Sequence, residues 1–366
     1  MKIALLGDIA FFGKNCIKNN DNLFDYFKDA KDYLQNFDIV IGNLEAPFCE
    51  NSSAVFGKSA TVSSHPANIE IIKFLNITHV NLANNHIGDF GKDVYENTKK
   101  ILENNKIDWF GTEEKDVFLN IYNEKVCMMG FCSYNTNPSI VRSNSKNGLN
   151  YLDAEVVYKK IDENSRNGYF NILSVHSGQE HVHLPSIEDI KFARSIAKKH
   201  SYVYYGHHPH VIQGFEKVSD AAIFYSLGNF IFDDVYTPKD DKNPLVAMTG
   251  ANKTGLIGEI EIVDGKLVDV KSTPLFLGFS KVSIDIDHNK ANLENINHYL
   301  NDIEEPEYSL KRQSKISEYI NERKKLRNFK WYLDRMNLNS IGIIMNARKN
   351  TKLYKEKFLS KLDLYD

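Results

Sequence analysis

The chain has 366 residues, of which 42% are hydrophobic and 25% charged, and a formal net charge of −3. That composition is ordinary for a globular protein, and so small a charge argues against a nucleic-acid partner. No stretch approaches the roughly 20 apolar residues of a membrane helix. The opening MKIALLGDIAFFGKN soon reaches Gly7 and Asp8, so it reads as a buried strand rather than a signal peptide, and a cytoplasmic location is expected.

The first strand signal is Lys2–Gly7, followed by Phe37–Ile41, His79–Leu82, Lys125–Phe131, Asn171–Val175, Tyr202–Tyr205 and Ala222–Tyr225. Helical stretches fall between them at about 21–36, 67–75, 91–104, 154–163 and 187–199. This alternation predicts an α/β domain over residues 1–285. Cys127 and Cys132 lie in or beside the apolar run VCMMGFCSY, and no Cys-x-x-Cys pair occurs, so buried thiols are expected. The segment EIEIVDGKLVDVKSTPL carries two alternating runs around Asp264-Gly265, a hairpin signal expected to close a sheet edge. Residues 286–366 change character: a polar, asparagine-rich stretch leads into basic helix, with fifteen Lys/Arg against four Asp/Glu between Lys311 and Lys361. Such a tail could dock on an anionic surface. The favoured expectation is a helical appendage packing on the main domain through Tyr319, Leu326, Trp331 and Tyr332.

Chemistry gathers where strands end. The ends read Gly7-Asp8, Gly42-Asn43-Leu44-Glu45, Ala83-Asn84-Asn85-His86, His176-Ser177-Gly178-Gln179-Glu180, Gly206-His207-His208-Pro209-His210 and Ser226-Leu227-Gly228-Asn229. In open α/β sheets ligands bind outside the carboxyl ends of the strands, and side chains from distant positions converge there. Asp, Glu, Asn and His are the oxygen and nitrogen ligands of divalent metals. Asp8, Glu45, Asn85, His176, His208 and His210 are more groups than one tetrahedral ion uses, and they suit two ions about 3.5–4 Å apart. Extended alternation would put His208 and His210 on one side, Pro209 stiffening the segment, with His207 pointing away. His181 and His183 are expected at the periphery. His86, backed by Asp89, is the candidate general acid, with a helix cap or a ligand as its alternatives.

The strings LLGDIAFFG, VIGNLEAPF, NLANNHIGDFG, HSGQEHVHLP, GHHPHVIQGFE and IFYSLGNFIFD resemble the CapA-type capsule-synthesis family, named for poly-γ-glutamate, over roughly residues 1–235. That family is similar to calcineurin-like metallophosphoesterases. The resemblance implies two packed mixed β-sheets flanked by helices, here with a C-terminal helical appendage. It implies metal roles for Asp8, Asn43, Glu45, Asn85, His176, His208 and His210, and places Glu180 and Asn229 close by. Two departures stand out: Ala10 occupies the place of the histidine in an Asp-x-His loop, and Gly-Asn-Leu-Glu replaces the usual Gly-Asp. The expected activity is hydrolysis of a phosphoester or related bond in a cell-surface polymer or its precursor, with two Mn, Mg or Zn ions activating a water. The alternatives are amide chemistry on a γ-glutamyl polymer, or a non-catalytic partner of other capsule-synthesis proteins.

Overall fold

The computed structural model describes residues 1–55, 60–136, 148–236, 242–284, 290–301, 303, 306–325 and 338–362. Two sheets are stacked face to face. The first begins with β1 (Lys2–Ile9), β2 (Ile39–Leu44), β3 (His79–Asn81) and β4 (Asp108–Phe110), all parallel and in that order. The second is built from β5 (Val117–Ile121), β6 (Glu124–Cys132), β7 (Phe170–His176), β8 (Tyr202–His207), β9 (Phe215–Val218) and β10 (Ala221–Phe224), in the order 5-6-7-8-10-9. The chain then returns to the first sheet. There β11 (Asn229–Ile231) lies parallel to β1, and β12 (Thr254–Val263), β13 (Lys266–Leu277) and β14 (Val282–Ile284) extend the sheet in antiparallel fashion.

Helices α1 (Leu23–Tyr26), α2 (Lys28–Leu34), α3 (Ile69–Phe74) and α4 (Lys92–Asn104) precede or connect the strands of the first sheet, and α5 (Ala154–Arg166) and α6 (Ile187–Ala197) those of the second. Period-two alternation explains the layering. In β1, Ile3 and Leu5 face the inter-sheet core while Ala4 and Leu6 face the helices. In β6, Val126 and Met128 point between the sheets, and Cys127, Met129 and Phe131 point outward. Cys16, Cys127 and Cys132 are buried and in no disulfide. Asp264 and Gly265 both take positive φ, 53° and 70°, as a tight type I′ hairpin requires. That hairpin stands beside β1, however, and the short β14 forms the edge.

Among the described residues three helices follow: α7 (Lys290–Tyr299), α8 (Pro306–Lys325) and α9 (Leu338–Leu362). They pack on the outer layer of the second sheet. Phe358 meets Phe192 at 5.3 Å between ring centroids, and Tyr354 stacks on Tyr151 at 4.9 Å. Part of the basic charge is used internally, since Lys357 pairs with Asp153 and Lys361 lies 2.8 Å from Glu155. Tyr319 packs on the main domain; Leu326, Trp331 and Tyr332 lie outside the described residues.

His79, at the start of β3, shows how the buried sheet responds to acid. Burial lowers its pKa from 6.5 to about 4, Asp108 opposing and Lys115 assisting. The folded protein therefore holds His79 neutral, a contribution fully present above pH 6.5 and lost as pH falls toward about 4. A shift of that size is worth on the order of 3 kcal/mol. His79→Gln should flatten the pH dependence of urea stability across that window by about this amount; an unchanged slope would show that other groups set it.

Candidate metal centre

The strand ends of β1, β2, β7 and β8, with the loop after β3, meet at one rim. Asp8 and Glu45 are fully buried there and lie within hydrogen-bonding reach of each other. Glu45 Oε1 lies 3.5 Å from His210 Nε2, 3.8 Å from His86 Nε2 and 4.0 Å from His176 Nε2. Asn85 Oδ1 stands 2.9 Å from His176 Nε2, and His208 Nδ1 3.2 Å from the same atom. A divalent cation attracts carboxylate, amide and imidazole lone pairs together. Ligand-type atoms of Glu45, His208 and His210 lie within 4.8 Å of one another. By donor chemistry the cluster fits a divalent ion.

Protonation points the same way. Burial depresses the His176 pKa well below 6.5, and His208, His207, His210 and His86 lower it further. The ring is thus neutral, the form that binds metal. Burial raises the carboxyl of Asp8 despite the opposing His210, Asn43, His208 amide and Glu45. A nearby cation would favour its ionised form.

The supporting bonds fix orientation. Asn229 Nδ2 donates to the Asn252 carbonyl at 3.0 Å, which turns Asn229 Oδ1 toward His210 Nδ1 at 2.9 Å. His210 Nδ1 therefore carries the proton, and its Nε2 lone pair faces Glu45. Asn43 is set differently from the expected ligand. The Ala83 amide donates to Asn81 Oδ1 at 3.0 Å, Asn81 Nδ2 donates to Asn43 Oδ1 at 3.0 Å, and Asn43 Nδ2 donates to Asp8 Oδ1 at 2.7 Å. The Asn43 carbonyl is thereby turned to Asn81, and its amide holds Asp8. His86 Nδ1 lies 2.6 Å from Asp89 Oδ2, which also accepts from the Val62 amide at 3.2 Å. The other His86 nitrogen faces Glu45 rather than diverging from the cluster.

His207, His208 and His210 are placed differently from the sequence expectations. His208 and His210 do not alternate along an extended strand. Both take positive φ, 95° and 56°, in a tight turn, and converge with ring centroids 6.0 Å apart. His207 does not turn its back on the site: it shares the inter-sheet face with Tyr205, and its Nδ1 lies 3.8 Å from Asp8 Oδ1. The strand runs two residues past Tyr205, so continued alternation in β8 is the signal that would have found it. Glu180 is within electrostatic reach of His208 and His210, but Tyr319 and Arg323 occupy its carboxylate. His181 and His183 are peripheral yet partly buried.

A buried carboxylate, amide and imidazole cluster at the rim of a two-sheet α/β sandwich defines a protein with a candidate divalent-metal centre. Residues 2–234 match the family described as "Bacterial capsule synthesis protein PGA_cap", and the chain belongs to that family. It is similar to "Capsule biosynthesis protein CapA" of Bacillus anthracis, 29% identical over 257 residues, covering 66% of this chain and 62% of that protein. It is also similar to "PGA biosynthesis protein CapA" of Bacillus subtilis, 25% identical over 246 residues, covering 65% of this chain and 64% of that protein. The matched part thus spans less than two thirds of either relative. Among solved structures, a putative 5'-nucleotidase from Staphylococcus aureus aligns with a TM-score of 0.47 and 11% identity, covering 82% of this chain and 58% of that one. No helix among the described residues is long and apolar enough to cross a membrane.

Proposed function

We propose that this chain is a metal-dependent hydrolase acting on a phosphoester or related bond of a capsule or cell-surface polymer, or of its precursor. The observation that carries the reading is the gathering of Asn85 Oδ1, His208 Nδ1 and Glu45 Oε1 around one nitrogen of the neutral His176. Asp8, Glu45, Asn85, His176, His208 and His210 would hold one or two divalent ions, of the Mn, Mg or Zn kind. Asn43 and Asn229 would orient Asp8 and His210. When bound, such ions supply Lewis acidity and bring the pKa of a water toward neutrality. His86, held by Asp89 on one nitrogen, would deliver a proton to the leaving oxygen from the other.

Titration of the metal-stripped protein with Mn²⁺ tests the centre, and heat-detected binding is the expected result. For the acid, His86→Asn should lower kcat by about 10²–10⁴-fold on phenyl phosphate. The loss should shrink on p-nitrophenyl phosphate, whose leaving group needs no proton. Equal losses on both substrates, with Mn²⁺ binding gone, would make His86 a ligand instead.

A second reading, a non-catalytic partner within a capsule-synthesis complex, is favoured by Ala10. Its methyl group, where an Asp-x-His loop would carry a ligand, is buried with Ala46, Val62, Phe232 and Val235. Mn²⁺ binding without turnover of either aryl phosphate would support that reading.

A further inference from the structure

The family match ends at residue 234, and α8 lies beyond it. Yet α8 reaches the loop that follows β7. Tyr319 donates its hydroxyl proton to Glu180 Oε2. Arg323 Nη1 donates to that same oxygen at 2.9 Å and to the Tyr319 hydroxyl at 2.8 Å. The Tyr319 ring lies nearly flat on His181, with centroids 4.9 Å apart and planes 19° apart. The Tyr319 hydroxyl and the Arg323 guanidinium thus both hold one oxygen of the Glu180 carboxylate.

From His181 the connection continues into the ligand turn. The His181 amide donates to the Pro209 carbonyl at 2.8 Å. Asn252 Nδ2 donates to His181 Nδ1 at 3.2 Å and to the His210 carbonyl at 2.9 Å. His181, His208 and His210 all hold positive φ, at 60°, 95° and 56°. A non-glycine residue held there is strained and persists only where its surroundings over-determine it. A turn strained at both of its candidate ligands needs a brace, and this contiguous set of bonds ends on α8.

We propose that Tyr319 and Arg323 are positioning residues for the His208-Pro209-His210 turn, acting through His181 and Glu180, and that the C-terminal extension thereby sets the affinity of the centre. The affinity claim rests on the metal-centre reading above; the bracing claim does not. Groups that orient metal ligands typically change affinity by about 10–100-fold.

The test uses the full chain as wild type, Tyr319→Ala, Tyr319→Phe, Arg323→Ala and the control Leu310→Ala, an exposed position on the same helix. In calorimetry with Mn²⁺, Tyr319→Ala should weaken binding about tenfold. Tyr319→Phe, which keeps the ring on His181, should recover most of that loss, and Leu310→Ala should match wild type. In metal-free protein, hydrogen exchange at the amides of His181, His208 and His210 should quicken in Tyr319→Ala and in Arg323→Ala, with Met128 in β6 unchanged. Either variant suffices if the other does not fold. No quickening at His181, or a uniform rise that reaches Met128, overturns the proposal. Quickening at His181 in a protein whose wild type binds no Mn²⁺ supports the brace and removes the metal reading alone.

Discussion

Glu45→Gln will separate metal binding from folding more cleanly than any other single change. The carboxylate is fully buried, and three imidazoles point at it from 3.5, 3.8 and 4.0 Å. The amide has nearly the same shape but no charge, so packing is kept while the attraction for a divalent cation is halved or worse. Removing a ligand should exceed the effect of removing a group that only orients one, so Mn²⁺ affinity should fall by more than about 100-fold. The consequence is visible as stability. A ligand at 100 times its Kd adds about 2.7 kcal/mol to the folded state. Wild type should show that increment in denaturant titrations with Mn²⁺ at this excess, and Glu45→Gln should show none at the same concentration. Without metal the two proteins should differ by about 1 kcal/mol, the ordinary size of a single substitution's effect. If both proteins gain equally from Mn²⁺, the ion is bound elsewhere and Glu45 is not part of its shell.

The convergence of Asp8, Glu45, Asn85, His176, His208 and His210 is legible in sequence because each stands where a buried strand runs out, and the sheet carries those ends to one rim. What escapes the sequence is local backbone sign and long-range reach. Nothing in the letters His-Pro-His announces left-handed φ at both histidines, since that state is held by Asn229, Asn252 and His181 from distant parts of the chain. Asn43 looks like an oxygen ligand until the bonds anchored on the Ala83 amide are followed, and these turn its carbonyl to Asn81. Arg323 meets Glu180 across 143 positions, which periodicity cannot foresee. Strands β4, β5, β9, β11 and β14 are missed because three to five residues seldom show a period, whereas β3 and β10, equally short and buried throughout, are read. The seven-residue signal Lys125–Phe131, by contrast, is read because its apolar run is long, and the structure adds one residue at each end to give the nine of β6.

Gly7→Ala should damage the protein more than any surface change, because the sandwich is threaded through that position. A Cβ on Gly7 would lie 2.0 Å from the Gly228 carbonyl oxygen, 2.9 Å from its carbon and 3.2 Å from the Phe230 nitrogen. All three are backbone atoms, so no side chain can rotate aside. β11 would have to move off β1, breaking the 3.0 Å bond from the Asp8 amide to Gly228 and the register of Asp8 with Asn229. Overpacking of this kind costs about 3 kcal/mol or more when the backbone must yield. Gly250→Ala is the matched control, since a Cβ there meets nothing within 4 Å. Urea titration should show a lower midpoint for Gly7→Ala at unchanged slope, and no shift beyond about 0.5 kcal/mol for the control. The same displacement reaches the centre, because Asn229 holds the proton-bearing nitrogen of His210. Whatever fraction of Gly7→Ala remains folded should bind Mn²⁺ more weakly than Gly250→Ala does. Equal stability of the two glycine variants would mean that β11 is not wedged against β1, and the coupling between the sheet junction and the ligand turn would fall with it.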